Sequence, residues 1–489
     1  MISKLELGAH GDLPRAAPSE AGVNADKIVA FLADVEAAGL ELHGMMLHKD
    51  GAVIAEGWTW PYGKDRPRVL HSVAKSVTAC AIGLALEEGR FTLQDKVISF
   101  FPDDLPEVVD EKLAAMSVED LLTMRTGHAS QVSGSVWRSI DTSWIREFFK
   151  IPLVHQPGTV YVYTSAASYM LSAILTRTTG QTMHAYLKPR FFEPLGIKGE
   201  QWEIGPDGVN PGGNGWTAKT EDLLKLGVLY EQGGMWAGKR VLPQAWVSAA
   251  TQAHAGGKYG YHWFVRPDGV FNAVGVFVQM CIVFPAYGAT LAITGAMERS
   301  AVVWPIVERH FPKAFVDVSG ASAAADAGLK VKLAALQEPR KLSSVASATP
   351  RRVSGVTYDV AANPATNPAG VRQLRFDFSD AQCVFTLTDS AGMHTIAAGI
   401  DSWIESETDM PGRDLHHGYS MPRARVVAGA HWLDETTLEM SWIFVETAFR
   451  DTVICQFEGE RVTFKRSVNI NSGARKHDDL FGLATTKRN

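Results

Sequence analysis

The sequence contains few cysteines, and none stands at the spacing of a metal or redox motif. Four occur among 489 residues, namely Cys80, Cys281, Cys383 and Cys455, and most lie in apolar segments such as "TACAIG" and "QMCIVF". No two of them form a C-x-x-C pair. A disulfide framework is therefore not expected, and we predict buried free thiols in a reducing compartment.

Long hydrophobic runs and an excess of basic residues are also missing. No stretch approaches the roughly 20 apolar residues that a transmembrane helix requires. The N-terminal "MISKLELGAHGDLPRAAPSE" has no apolar segment of the kind found in signal peptides. The formal net charge of -6 gives no electrostatic reason to expect a nucleic acid or an anionic membrane as partner. We predict a cytoplasmic protein that acts on a small molecule or a short peptide, and the sequence leaves homo-oligomer formation open.

Several catalytic signatures are absent as well. The chain contains neither the G-x-S-x-G of α/β-hydrolases nor the H-E-x-x-H of zinc peptidases. "GGMWAGKRV" has the glycine and lysine spacing of a phosphate-binding loop, but Arg240 stands where such a loop needs Ser or Thr. The loop pair His416-His417 is a weak candidate for metal binding. These features do not support a phosphate-binding loop, an α/β-hydrolase or a zinc peptidase.

The composition is that of a multidomain globular protein. Hydrophobic residues make up 46% and charged residues 20% of the chain, and its length predicts two or three domains. Residues 1–315 mix helical and strand patterns. Residues 316–350 are rich in Ala and Ser, and they predict a linker that contains one helix, Ala323 to Leu336.

Residues 351–489 alternate apolar and polar side chains with a period of two. "QLRFDF" and "TLEMSWIF" show the alternation, and "TVICQFEGERVTFKRSV" predicts a hairpin that turns at Glu458-Gly459-Glu460. This pattern predicts an antiparallel β domain, either a lipocalin-like barrel or a sandwich. The residues expected in its apolar interior are Phe376, Phe378, Leu438, Trp442 and Phe464.

Local patterns also predict elements within residues 1–315. "ELHGMMLHKDGAVIAEGWTW" predicts two strands around a turn at Lys49-Asp50-Gly51. Ser117 with Asp120 three residues later is typical of a helix N-terminus, and Thr220 is expected to cap another helix. "GVFVQMCIVFP" and "GATLAITG" each predict a buried strand.

Ser72 and Lys75 stand three residues apart at the start of the apolar helix pattern "LHSVAKSVTACAIGLALEEG". Positions i and i+3 share one face of a helix, and the first turn offers free N–H groups. A lysine held in an apolar pocket has a lowered pKa and accepts a proton, which makes the serine a nucleophile. The alternative is a cap serine beside a surface lysine. No other lysine in the sequence has a serine three residues before it.

Two further segments are candidates for the same site. Tyr163 and Ser165, in "QPGTVYVYTSAASYMLSAI", stand before a predicted helix, and a tyrosine near a lysine can share the role of base. The alternative is a buried aromatic residue before a helix cap. In "FNAVGVFVQMCIVFP", a strand with a glycine lets substrate lie along its edge, where a backbone N–H can stabilise an oxyanion.

In this order and spacing, the three segments resemble the serine β-lactamase and penicillin-binding-protein superfamily, above all its class C β-lactamase, D-aminopeptidase and family VIII esterase branch. "LLTMRTGH", "PGTVYVYTSAASYMLSAILTRTTG" and "FFEPLGI" extend the resemblance over residues 15–310. It implies an α+β fold, with an antiparallel sheet flanked by helices and an all-helical lobe. It also implies acylation of Ser72, with Lys75 and Tyr163 as base, Ser165 and Gly275 at the substrate, and an oxyanion held by Ser72 and Val276. The implied mechanism requires no metal and no organic cofactor.

The sequence departs from this family at two motif positions. Ser165 stands where β-lactamases usually have asparagine, and Ala273-Val274-Gly275 replaces a K-T-G or H-T-G motif. An alanine cannot bind the substrate carboxylate, so we expect a hydrolase of small esters or amides. Arg125 or Arg138 is a candidate to supply the missing charge. A peptidase for D-amino-acid or unusual peptides and a non-catalytic binding protein are the alternatives.

Overall fold

The chain divides into two compact units, residues 1–337 and residues 338–489. The computed structural model describes residues 11–132, 134–254, 257–363, 367 and 369–485. The strands of the first unit are β1 (Glu41–Lys49), β2 (Ala52–Trp58), β3 (Arg68–Val69), β4 (Gln201–Trp202), β5 (Trp216–Ala218), β6 (Met235–Trp236), β7 (Lys239–Arg240), β8 (Phe264–Val265), β9 (Phe271–Gly275), β10 (Gln279–Phe284) and β11 (Ala289–Ala296).

Helices surround these strands. They are α1 (Ala25–Ala37), α2 (Ala74–Glu87), α3 (Glu111–Ala115), α4 (Val118–Leu122), α5 (Gly134–Trp137), α6 (Trp144–Lys150), α7 (Ser165–Thr179), α8 (Met183–Leu187), α9 (Thr220–Glu231), α10 (Gln244–Ala250), α11 (Trp304–Val316) and α12 (Ala323–Ala335). Single 3-10 turns add to them, and one of these, His71–Val73, leads directly into α2.

The main sheet is antiparallel and has the strand order β2–β1–β11–β10–β9–β8. Neighbouring residues of a strand point to opposite faces, and here both faces are buried. Met45 and Ile282 pack with α1 and α11 in one core, whereas Met46 and Cys281 pack with α2, α7 and α9 in the other. A second, three-stranded sheet has the order β3–β5–β4, and its strand β3 precedes the 3-10 turn that leads into α2.

Local sequence patterns predict much of this unit. The hairpin of β1 and β2 is confirmed, and so is the capping box in which Ser117 accepts from the backbone of Asp120. Thr220 is not the cap of α9, because it is the first helical residue and Lys219 precedes it as the N-cap. The predicted strand "GVFVQMCIVFP" is broken, since Val276 to Val278 form the turn between β9 and β10.

The second unit is a closed barrel that follows one short helix, α13 (Thr349–Val353). Its strands are β12 (Thr357–Val360), β13 (Gln373–Phe378), β14 (Gln382–Thr388), β15 (Met393–Ile400), β16 (Ile404–Thr408), β17 (Ala424–Trp432), β18 (Thr437–Phe444), β19 (Arg450–Glu458), β20 (Arg461–Val468) and β21 (Leu480–Ala484). The order β15–β14–β13–β12–β21–β20–β19–β18–β17 closes by a parallel pairing of β15 with β17, and β16 extends from β17. Of the two predicted forms, barrel and sandwich, the barrel is confirmed.

The barrel interior agrees with the period-two pattern at most positions. Phe376, Leu438, Trp442 and Phe464 are buried, whereas Phe378 at the end of β13 is half-buried. Its prediction as an interior residue is wrong because the alternation ends with the strand. All four cysteines of the chain are free and buried, as expected.

The sequence predicts helix α12 as part of a linker, but the helix packs against the first unit. Its small side chains suggest exposure, yet Ala325 and Leu329 are buried in the core that α1 and α11 form on the main sheet. The first unit therefore extends to residue 337 rather than to residue 315. None of the helices formed by the described residues combines the length and the apolarity that a bilayer crossing requires.

Candidate active site

Ser72 lies at the junction between a short strand and a helix. β3 ends at Val69, the 3-10 turn His71–Val73 follows, and α2 begins at Ala74. The backbone of His71 has a φ of 51°, a left-handed conformation that is uncommon outside glycine. Ser72 is therefore held directly before the positive end of the α2 dipole, as the sequence predicts.

Lys75 is buried on the first turn of α2 and faces Ser72. Its side chain is only 1% exposed, and Nζ lies 3.2 Å from Ser72 Oγ. The same Nζ donates to the carbonyl oxygen of Gly213 at 2.8 Å and contacts Ser165 Oγ at 3.0 Å. These three oxygen atoms fix the direction of the amine, which places it beside the serine rather than in solvent.

Burial lowers the pKa of Lys75 from 10.5 to about 7, and the positive charge of Arg138 acts in the same direction. The charged amine loses hydration in this apolar pocket, whereas the neutral amine keeps its hydrogen bonds. A large fraction of Lys75 is therefore neutral near pH 7. A neutral amine beside a serine hydroxyl is able to accept a proton.

Tyr163 completes the group from the segment that precedes α7. Lys75 Nζ lies 4.8 Å from the centroid of its ring. Burial raises the pKa of Tyr163 to about 12, so its hydroxyl stays protonated at neutral pH. The Phe264 ring stacks on Tyr163 with a centroid distance of 5.9 Å and limits its motion.

Ser165 and the end of β9 also reach this group. Ser165 is the first residue of α7 and contacts Lys75 through its hydroxyl. Gly275 ends β9, and a Cβ at this position would overlap the carbonyl oxygen of Leu70 and lie 3.2 Å from His71 Cβ. Glycine thus permits β9 to pack against the residues that lead into Ser72, and Val276 follows at the start of the turn.

Sequence analysis did not find the segment Gly213–Asn214, which closes the pocket behind Lys75. Gly213 offers its carbonyl to Lys75, and a Cβ on Gly213 would lie 3.1 Å from Nζ. Asn214 Oδ1 accepts from Arg138 Nη2 at 2.9 Å, so this segment brings the arginine close to the amine. The only signal was the sequence "NPGGNG", in which nothing distinguishes a site from an ordinary turn.

Of the two arginines considered as a substitute cation, Arg138 lies near the group. Its charge affects Lys75, and its Nε is 3.4 Å from Glu203 Oε2. Arg125 donates instead to Thr123 Oγ1 at 3.1 Å. Ala273 is buried on β9 and offers no charge.

A buried histidine supports the same pocket without a sequence motif. His262 Nδ1 lies 3.0 Å from the carbonyl oxygen of Leu122 and therefore donates to it, which leaves Nε2 to accept from Ser168 Oγ at 2.9 Å. Burial, together with the charge of Lys75, lowers the pKa of His262 to about 3, so the ring is neutral. Through these two hydrogen bonds, the His262 ring links α4 to α7 close to Lys75.

Comparisons with known proteins agree with the fold of the first unit. The beta-lactamase family profile matches residues 32–296. The chain is 23% identical to 6-aminohexanoate-dimer hydrolase of Paenarthrobacter ureafaciens over 54% of this chain and 75% of the relative. It is 26% identical to lovastatin esterase of Penicillium rubens over 30% of this chain and 43% of the relative.

Among solved structures, EstCE1, a hydrolase with promiscuous acyltransferase activity, superposes with a TM-score of 0.51 at 16% identity and covers 60% of this chain and 98% of that one. This likeness concerns the fold. The chain spans about half the length of several curated relatives that it matches. Because the family profile covers more than half of this chain, the protein belongs to the beta-lactamase family.

Proposed function

We propose that this protein is a serine hydrolase that forms an acyl-enzyme on Ser72. The observation that carries the proposal is the set of three oxygen contacts around the buried Lys75 amine. A carbonyl oxygen only accepts hydrogen bonds, so one N–H of the neutral amine is committed to Gly213. The second N–H goes to Ser165 Oγ, and the lone pair then faces the Ser72 hydroxyl.

In the first step, Ser72 Oγ attacks the substrate carbonyl carbon while its proton moves to Lys75 Nζ. The new Oγ–C bond converts the carbonyl oxygen into an oxyanion. When this intermediate collapses, the bond to the leaving group breaks, and the leaving group takes the proton that Lys75 holds. Tyr163, which stays protonated at neutral pH and lies beside Lys75, is suited to pass that proton across the site.

In the second step, water repeats the sequence on the acyl-enzyme. A water proton moves to Lys75, the hydroxide oxygen bonds to the acyl carbon, and the bond to Ser72 Oγ breaks. Ser72 recovers its proton from Lys75. The net reaction converts an ester and water into an acid and an alcohol, or an amide and water into an acid and an amine.

The backbone N–H groups of Ser72 and Val276 are the proposed donors to the oxyanion. The close approach of Gly275 to Leu70 and His71 supports this assignment, because it brings the turn after β9 beside the residues before Ser72. Removal of one such donor typically costs about 10²-fold to 10³-fold in kcat.

Small neutral esters are the preferred substrate class. Ala273 stands where the family's K-T-G or H-T-G motif has a lysine or histidine. The site therefore lacks, at this position, the cation that would offset the desolvation of a substrate carboxylate. The partial match to a lovastatin esterase is consistent with ester hydrolysis. A peptidase or amidase is the second candidate, and the position of Arg138 beside Asn214 favours it, because this cation is near Lys75.

Hydrolysis of p-nitrophenyl butyrate tests the proposal. The wild-type protein is expected to release p-nitrophenol, and Ser72→Ala is expected to lose this activity while it keeps its fold by circular dichroism. Ser99→Ala, which alters an exposed serine in a 3-10 turn outside the site, is the matched control. Equal rates for Ser72→Ala and wild type would exclude Ser72 as the nucleophile. Folded wild-type protein that hydrolyses neither esters nor amides would favour a binding protein.

A further inference from the structure

Gln279 is a buried residue outside the proposed reaction, and its amide is fully used. The side chain is 0% exposed at the start of β10. Oε1 accepts from Arg68 Nε at 2.7 Å, while Nε2 donates to the carbonyl oxygens of Gly295 at 3.0 Å and Phe277 at 3.3 Å. A buried amide is retained at low cost only when its polar atoms are paired, as they are here.

Arg68 is the partner of Gln279 on the other side of the site. It lies on β3, four residues before Ser72, and is 4% exposed. Its Nη2 donates to the carbonyl oxygen of Gly295 at 3.1 Å, and its guanidinium lies 5.3 Å from the centroid of the Tyr62 ring. The planar fork of arginine thus contacts Gln279 and β11 at once, which a lysine cannot do in the same geometry.

The turn that Gln279 contacts has an unfavourable backbone. Phe277 and Val278 have φ values of 63° and 67°, although neither is glycine and valine is β-branched. Non-glycine residues persist in this left-handed conformation only where their surroundings hold them in place. The Phe277 carbonyl accepts from Met297 N at 3.2 Å as well as from Gln279, so hydrogen bonds hold this turn from two sides.

The same turn begins with Val276, a proposed oxyanion donor. β3 and the 3-10 turn carry the other donor, Ser72. The hydrogen bond between Arg68 and Gln279 therefore joins the segment before Ser72 to the strand after the Val276 turn. The two proposed N–H donors lie on these segments, and Gly275 packs against Leu70 beside the same contact. This contact differs from ordinary core packing. Arg68 lies four residues before Ser72, and Gln279 bonds to the turn that begins at Val276, so each partner holds backbone next to a proposed N–H donor.

We propose that Arg68 and Gln279 are positioning residues that set the distance between the Val276 and Ser72 N–H groups of the oxyanion site. The inference rests on the proposed function. Neither side chain touches the substrate. Their loss changes the alignment of donors that act in the transition state, so it lowers kcat and leaves KM nearly unchanged.

The test uses the full chain and p-nitrophenyl butyrate, with the number of active sites measured by fluorophosphonate labelling and intact mass. Gln279→Met retains the volume and removes every hydrogen bond of the amide. We expect kcat per labelled site to fall about tenfold to a hundredfold, with KM within about threefold of wild type. Thr290→Val is the matched control, because Thr290 is buried on β11 and its hydroxyl donates to Glu231 Oε2 at 2.7 Å.

A double-mutant cycle separates positioning from general packing. If Arg68 acts through Gln279, the pair Arg68→Met with Gln279→Met is expected to lose no more kcat than the worse single variant, within about threefold. Losses that multiply would overturn the proposal. Gln279→Glu covers the case in which Gln279→Met does not fold, because it keeps the acceptor for Arg68 but cannot donate to Phe277 when ionised. Wild-type kcat in a folded Gln279→Glu would also overturn it.

Failure of the two proposals gives different results. If wild-type protein is not labelled at Ser72 and has no hydrolytic activity, the proposed function fails, and the positioning role fails with it. If wild type is labelled and active but Gln279→Met matches it in kcat per site, only the positioning role fails. A loss of labelled sites without a change in kcat per site would assign the pair to folding alone, against the proposal.

Discussion

The two sides of the candidate site are built in different ways. On the α2 side, the site consists of three side chains, those of Ser72, Lys75 and Tyr163. The proposed acyl transfer requires each of these residue types. On the β9–β10 side, Gly275 allows close packing because it has no side chain, and the proposed contribution of Val276 is its backbone N–H group. The first side depends on residue identity, whereas the second depends on how closely two backbone segments pack.

The largest expected effect falls on the α2 side. Lys75→Met removes the proposed base but keeps an apolar side chain of similar length, so the fold is expected to remain. Because the proposed reaction uses Ser72 and Lys75 as a unit, kcat should fall by about 10⁴-fold or more. Steady-state hydrolysis of p-nitrophenyl butyrate measures this loss.

Lys225→Met is the matched control for that variant. Lys225 is also buried on a helix and donates to the carbonyl oxygen of Gly196 at 3.4 Å, but it lies on α9. Its replacement should leave kcat per folded molecule nearly unchanged, because the Gly196 carbonyl that Lys225 binds takes no part in the proposed reaction. Similar losses in the two variants would mean that buried lysines matter for folding and not for chemistry.

Gly275→Ala probes the β9–β10 side. The added Cβ would overlap the Leu70 carbonyl oxygen, so β9 must move away from the residues before Ser72. A displaced oxyanion donor predicts a loss in kcat of about 10²-fold. Activity is compared at equal concentrations of labelled sites.

Gly328→Ala serves as its control in α12, where a Cβ meets no atom within 4 Å. It should keep full activity and raise the free energy of unfolding by about 0.5–1 kcal/mol, because alanine favours helix. If Gly275→Ala is as active as Gly328→Ala, the packing at β9 does not govern catalysis, and the contrast between the two sides is wrong.

The contrast also explains which features the sequence could predict. The S-x-x-K spacing, the tyrosine before α7 and the period-two barrel strands all depend on residue type and local periodicity. The apolar side chains of Val276 to Val278 predict a strand, but Phe277 and Val278 are left-handed, and the Phe277 carbonyl accepts hydrogen bonds from Gln279 and Met297. Arg68, Gly213 and Gln279 are distant in sequence, so no local pattern brings them together.

The pH dependence of kcat/KM tests Lys75 without a mutation. The base must be neutral in the free enzyme, and its pKa is lowered to about 7. Activity should therefore rise as the pH increases through about 7 and reach a plateau above it, with a slope of about tenfold per pH unit on the acid side. A profile that is flat from pH 5 to pH 9 would exclude Lys75 as the base, whereas a fall in this range would require a protonated group.

The smallest expected effect concerns substrate choice. Without a cation at Ala273, kcat/KM for p-nitrophenyl butyrate should exceed that for nitrocefin, which carries a carboxylate, by about tenfold or more. The two substrates are compared on one preparation, together with Arg138→Met. A preference for nitrocefin that disappears in Arg138→Met would assign the carboxylate anchor to Arg138 and favour the peptidase alternative.

Fluorophosphonate labelling followed by peptide mapping tests the central claim most directly. The account predicts a single adduct on the peptide that contains Ser72, formed faster at pH 8 than at pH 6 because Lys75 is then neutral. The adduct should be absent in Ser72→Ala and strongly slowed in Lys75→Met. Folded wild-type protein that forms no adduct, or forms it on another residue, would contradict the assignment of Ser72 as an activated nucleophile.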